Sequence, residues 1–201
     1  MNIYHISRGS ILKPNDRFNL HPLSELNINI TSDIDRLFPK GLSTHGLRYL
    51  QEATYTSNGT EITTEFIKSN NYLASHFIEY NLELVRKAFF PNSPSRFTSL
   101  FVLENLQQIV EWPEILQPGC KIYQLESDII PQKFDASLLK GGFSLGSSAN
   151  FEINETFSPL DNLNFAYQYW EKRTSEKPRF ESLLDLSVAN VTVIQEVKLA
   201  N

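Results

Sequence analysis

Residues 3–7, Ile3-Tyr4-His5-Ile6-Ser7, set Ile3, His5 and Ser7 against Tyr4 and Ile6. This two-residue alternation is that of a β-strand, and Arg8-Gly9-Ser10 ends it. Four later segments read the same way. Arg96-Phe97-Thr98-Ser99-Leu100-Phe101-Val102 and Lys121-Ile122-Tyr123-Gln124-Leu125-Glu126 are rich in β-branched and aromatic residues. The chain then closes on two apolar runs, Glu181-Ser182-Leu183-Leu184 and Val191-Thr192-Val193-Ile194-Gln195-Glu196-Val197. A strand at the start, strands in the middle and strands at the end predict a sheet assembled from distant parts of the chain.

Helical signals lie between them. Phe66, Leu73, Phe77, Tyr80, Leu84 and Ala88 recur mostly at spacings of three, four or seven, which predicts a helix over 61–89 with these residues on its apolar face. Pro91 and Pro94 stop it. Glu79 and Glu83, one turn apart, read as a solvated acidic face. A short helix is expected over 104–112, a helical turn over 134–139, and another helix capped by Asp161 and ending near Trp170. Residues 14–48, with many Asn, Asp, Pro and Ser, read as loops and turns around one short helix. The glycines of 141–146 lack the spacing and the lysine of a phosphate-cradling loop, and read as a mobile segment. No repeat or linker divides the sequence, so one α+β domain over 1–201 is expected.

Composition narrows the function classes. The chain has 201 residues, 41% of them hydrophobic, enough to bury a core. No run approaches the roughly 18 apolar residues of a membrane span, and Met1-Asn2-Ile3-Tyr4-His5 has neither the basic flank nor the apolar stretch of a signal peptide. A cytoplasmic protein without membrane attachment is expected. Cys120 is the only cysteine, which excludes an intrachain disulfide and a cysteine-built metal site; it reads as a small buried hydrophobe. His5, His21, His45 and His76 lack metal-ligand spacing, so no metal is expected. A net charge of −5 argues against a broad basic surface for nucleic acid, although folding could assemble a small basic groove.

Polar residues inside apolar strands carry the chemistry. These are His5, Thr98 with Ser99, and Glu181. Taken singly, each has a structural explanation in hydrogen bonding or exposure. Taken in order, an aromatic-His strand, an aromatic-Thr-Ser strand and a late Glu-x-Leu-Leu strand resemble the three-part signature of the ADP-ribosyltransferases. Tyr4-His5-Ile6-Ser7 resembles the opening motif of the His-type branch, which includes rifampicin-modifying and DNA-modifying members, although Ile6 stands where many members have glycine. Phe97-Thr98-Ser99 is similar to the second motif, with Phe97 where several relatives have Tyr, and 121–126 resembles a core strand of the family.

That resemblance implies a split, strongly bent sheet with helices packed outside, and NAD as co-substrate. It makes Glu181 and His5 the catalytic residues. Glu181 would hold the ribose 2-hydroxyl as positive charge develops, while His5 would hold the other ribose. NAD would be bound by His5, Ile6, Ser7, Arg8, Arg96, Phe97, Thr98, Ser99 and Tyr123, with Arg8 or Arg96 on the diphosphate and the ring of Phe97 or Tyr123 on the nicotinamide. Imidazole and carboxylate would converge on one cleft. The acceptor would be a nucleic acid or a protein. Arg179, two residues before Glu181, differs from the Glu or Gln of the arginine-directed branch. Members of this kind include toxins and phage or defence factors, so an inhibitor or antitoxin protein is an expected partner. The alternative from another class is a non-catalytic module binding NAD or ADP-ribose.

Overall fold

The computed structural model describes residues 2–7, 11–22, 37–50, 70–112, 119–140 and 159–198. Within these the fold is α+β, with two antiparallel sheets and three α-helices. The chain forms two compact units, one from 1–47, 94–133 and 179–201, the other from 48–93 and 134–178.

The first unit carries the sheets, except for Phe134 and Asp135 at the end of one strand, which fall in the second. Strands β1 (Asn2–Ser7), β2 (Arg17–Phe18), β4 (Lys121–Ser127) and β7 (Val191–Val197) form a sheet ordered β1-β4-β7-β2. Strands β3 (Ser99–Val102), β5 (Gln132–Asp135) and β6 (Phe180–Asp185) form the other, ordered β3-β6-β5. A single bridge joins the two, Tyr4 to Leu103, with both backbone N–H···O bonds at 2.8 Å. One sheet curls as a half-barrel. A shift of register in β4 between Gln124 and Leu125 contributes the local twist such irregularities bring.

Pleating decides what each side of the sheets buries. Ile3, Tyr123, Leu125, Val191 and Val193 form one cluster with Leu100, Val102 and Leu184. Tyr4 and Ile6, on the alternate positions of β1, pack with Leu103, Ile122 and Trp112. Both faces of β1 are thus covered by protein, which explains why its apolar residues occupy alternate and adjacent positions alike. Helix α1 (Thr44–Leu50) begins in this unit. Ser43 supplies the hydroxyl that accepts from Gly46 N–H at 3.2 Å, a side-chain N-cap.

In the second unit, α2 (Asn70–Phe89) and α3 (Pro159–Trp170) pack with the 3-10 turn Ala136–Leu138. The Trp170 indole N–H donates to the Leu82 carbonyl at 2.7 Å, and the Tyr169 ring stacks on Phe134 at 4.8 Å. Asp161 lies inside the first turn of α3 rather than at its cap. The expected apolar face of α2 is rotated. Leu82 and Val85 are buried, whereas Tyr80 and Leu84 are 46% and 60% exposed.

Glu79 and Glu83 correct the reading of a solvated acidic face, because both are buried. The Arg86 guanidinium, one turn on, donates to both Glu83 oxygens at 2.9 Å, and this pairing makes burial of that carboxylate tolerable. Phe66 and the 141–146 segment lie outside the described residues. Among the described residues no helix is long and apolar enough to cross a membrane.

Candidate active site

The seam between the sheets is built around His5. From the Tyr4–Leu103 bridge, antiparallel register would carry the pairing on to Ile6 and Phe101, but the bridge is isolated. The Phe101 carbonyl instead lies 3.0 Å from His5 Nδ1. An imidazole thus takes the carbonyl at the point where the strands part. Its edge meets the Phe18 ring at 5.2 Å between centroids. Burial pushes the His5 pKa below its usual 6.5, and the Phe101 bond offsets this only in part. A neutral ring donating Nδ1–H to the carbonyl satisfies both observations.

A buried ion pair occupies the neighbouring strand pair. β3 and β6 align Phe101 with Leu183 and Ser99 with Asp185. The turn before β3 is folded on Ser95, whose carbonyl accepts from Thr98 N–H at 3.1 Å and from the Ser99 hydroxyl at 2.6 Å. Arg96 projects from this turn and donates to Glu181, near the start of β6. Their side chains are only 6% and 9% exposed. The guanidinium carbon sits 4.9 Å from the Phe101 ring centroid, whose ring is also met by His45 from α1 at 4.6 Å. α1 is held against the same turn, with Ser43 N–H and hydroxyl both donating to the Phe97 carbonyl at 2.8 and 3.0 Å.

The start of β6 has its own anchor. The Trp112 indole N–H donates to the Phe180 carbonyl at 3.0 Å, and Arg179 lies 3.6 Å over the Trp112 ring. These contacts fix the chain immediately before Glu181, so its carboxylate is set by a rigid element.

The predicted residues are brought close in chain terms but not onto one face. On β6, Leu184 belongs to the cluster with Ile3 and Tyr123, so alternation places Glu181 on the other side, with Leu183 and Phe101. His5, paired with Tyr123, is on the Ile3 side. Imidazole and carboxylate therefore do not meet in a shared cleft. Phe101 links them, by its carbonyl to His5 and by its ring to Arg96.

Other expectations are corrected. Arg96 to Thr98 form a turn rather than the first half of a strand. Arg96 is buried against Glu181, which is its observed anion. Phe97 and Tyr123 are 2% and 0% exposed, so neither presents a ring face to a ligand; Tyr123 instead accepts from Leu12 N–H at 3.0 Å. The Thr98 hydroxyl donates to Asp185 at 2.9 Å and Ser99 closes the turn, both structural uses. Ser7 is buried at the end of β1, Ile6 packs beside Leu103, and Arg8 lies outside the described residues. Cys120 is partly rather than fully buried.

From the sequence neither Phe101 nor His45 has a place at this seam, His45 being weighed only as a metal ligand. Phe101 was read only as part of an apolar strand. The signal for His45 was Ser43-Thr44-His45-Gly46, a helix start with its cap, which would have placed an imidazole on a first turn. Among the described residues no group of three His, Cys, Asp or Glu side chains could hold a metal ion.

No curated protein matches the sequence. Residues 3–198 match the family described as protein of unknown function DUF2441, and the chain belongs to that family.

Proposed function

We propose that this protein transfers ADP-ribose from NAD to a macromolecular acceptor, a nucleic acid or a protein, with Glu181 as its catalytic carboxylate. The observation that carries the reading is the seam. Three strands far apart in sequence, with His5, Ser99 and Glu181, become neighbours through one bridge and one ladder. This adjacency of the three motif strands supports the reading, while the pleat keeps imidazole and carboxylate on opposite sides.

In the reaction, the bond from ribose C1′ to the nicotinamide nitrogen breaks and nicotinamide leaves with the electron pair. Positive charge spreads over C1′ and the ring oxygen. An acceptor nucleophile then bonds to C1′ and loses its proton. Glu181 accepts a hydrogen bond from the ribose 2-hydroxyl, and a carboxylate there favours the charged state over the ground state. Arg96 holds Oε1 of Glu181, so the ribose hydroxyl must reach the carboxylate beside that bond or in place of it. The pleat separates His5 from this carboxylate, so His5 is a positioning residue that holds the Phe101 backbone at the seam.

The second reading, binding of NAD or ADP-ribose without turnover, is favoured by one feature, the closure of Glu181 by Arg96. Incubation with labelled NAD and separate RNA, DNA and protein fractions distinguishes the two. Transfer of label, falling by about 100-fold or more in Glu181→Gln while a thermal shift with NAD persists, supports catalysis. A thermal shift with NAD but no label in any fraction supports the binder. Label transferred equally by Glu181→Gln removes Glu181 from the chemistry.

A further inference from the structure

Beside β2 and the turn joining β6 to β7 lies an open cleft of about 360 Å³. That size falls within the roughly 300–1,000 Å³ of small-molecule sites. Among the described residues its lining includes Arg17 and Lys40 and no aspartate or glutamate. In a chain of net charge −5 this is a local reversal of sign.

The cations are arranged differently. Lys40 Nζ donates to the Ser187 carbonyl at 2.6 Å, which fixes its head group at the cleft while leaving two of its N–H donors for another acceptor. Arg17 is held by its backbone in the β2 ladder opposite Thr192, and its guanidinium makes no hydrogen bond or ion pair among the described residues. The backbone donors of the turn are already committed. Ser187 and Ala189 N–H bond to Asp185, and Asn190 N–H bonds to Asp128. An anion in this cleft would therefore be held by side chains. The apolar part of the lining is Phe18 and Leu186, both packed on the core, and Phe18 is steadied by the edge of His5.

We infer that this cleft binds a phosphate ester of the nucleotide class, with the phosphate on Arg17 and Lys40 and a flat ring against Phe18. A planar, always-charged guanidinium and a fixed ammonium suit phosphate oxygens, and an apolar wall beside them suits a base. The inference stands apart from the Glu181 reading, since neither cation belongs to the Arg96–Glu181 pair.

Titration calorimetry and thermal shift with AMP and with inorganic phosphate, against chloride at equal ionic strength, test it on the full chain. Both ligands are expected to stabilise the protein, AMP more strongly. Arg17→Gln should weaken AMP by about tenfold, and Arg17→Gln with Lys40→Met should abolish the response. Arg17 is exposed and makes only backbone pairing, so the single variant keeps the test valid if the double variant unfolds. A five-nucleotide single strand that binds tighter than AMP, with the same sensitivity to Arg17→Gln, identifies a nucleic-acid strand as the source of the phosphate. AMP binding tighter identifies a free nucleotide. Absence of any response in the wild type at about 10 mM ligand, or AMP binding unchanged in Arg17→Gln, overturns the inference. NAD-dependent labelling that survives Arg17→Gln while AMP binding is lost shows the two sites to be separate.

Discussion

Replacing Arg96 by Met should be among the most destabilising single changes at the seam. Its partner Glu181 is 9% exposed at the side chain, so the variant leaves a buried carboxylate without its guanidinium. Breaking a buried pair from one side costs about 3–5 kcal/mol, because the remaining charge has lost its compensation and cannot regain water. In a chain of this length that corresponds to a fall in Tm of roughly 6–20 °C. Glu181→Leu should cost less. The Arg96 guanidinium still lies over the Phe101 ring at 4.9 Å, and such a contact is worth about 0.5–2 kcal/mol. The double variant Arg96→Met with Glu181→Leu should recover most of the loss, since it exchanges a buried ion pair for apolar groups of similar size. Urea unfolding of all four proteins, followed by two probes, measures the coupling, which should be at least about 2 kcal/mol. Losses that simply add, or a loss below about 0.5 kcal/mol in Arg96→Met, would refute the idea that a desolvated pair fixes β6 to the turn before β3.

Two further changes test the same seam from other sides. His5 has a lowered pKa in the native protein, so between that value and 6.5 the unfolded chain binds a proton that the native chain does not. Stability should therefore fall as pH drops through 6.5, by up to about 1.4 kcal/mol per unit from this group, and level off below the native pKa. His5→Gln should flatten the difference when unfolding free energies are compared from pH 7.5 to pH 5; an unchanged slope would exclude His5 as the source. Gly46→Ala would set a Cβ 2.2 Å from the Phe97 carbonyl oxygen, backbone against backbone, and should cost roughly 3 kcal/mol or more in the same urea assay. Gly119→Ala, with φ near 88° but no atom of the described residues within 4 Å of the added Cβ, should cost only about 1–2 kcal/mol. Similar values for the two would show that α1 can slide away from the turn.

The parts of the fold that sequence made legible are those fixed by neighbours in the chain. β1, β4, β6 and β7 each fall within a residue or two of the apolar or alternating run that predicted them. β2 did not show, because two residues have no period; Arg17 and Phe18 are a strand only by virtue of Thr192 and Val191 opposite. The face of α2 was misread for a related reason. A helical stripe that includes Glu79 and Glu83 violates the apolar pattern, and its burial follows from Arg86 folding back one turn and from packing that the pattern does not encode. Glu83 and Arg86 were legible as an i,i+3 pair, yet nothing local said that the pair faced inward.

The site divides along the same line. A polar residue within an apolar strand marks a place where the sheet needs a side-chain bond, and such positions were found from sequence at His5, Thr98, Ser99 and Glu181. What each bond is for depends on a partner far away. Phe101 is 96 positions from His5, Asp185 is 87 from Thr98, and Arg96 is 85 from Glu181. With the partners in view the four separate. Ser99 and Thr98 close and tether a turn, and His5 satisfies a carbonyl where two strands diverge. Glu181 alone is held by a long, rotatable guanidinium on a side chain that also has an aromatic face to rest on. An arginine with that second contact can release a carboxylate oxygen to a sugar hydroxyl without itself losing every partner. This asymmetry favours Glu181 over His5 for the proposed chemistry, although the sequence motif gives the two equal standing.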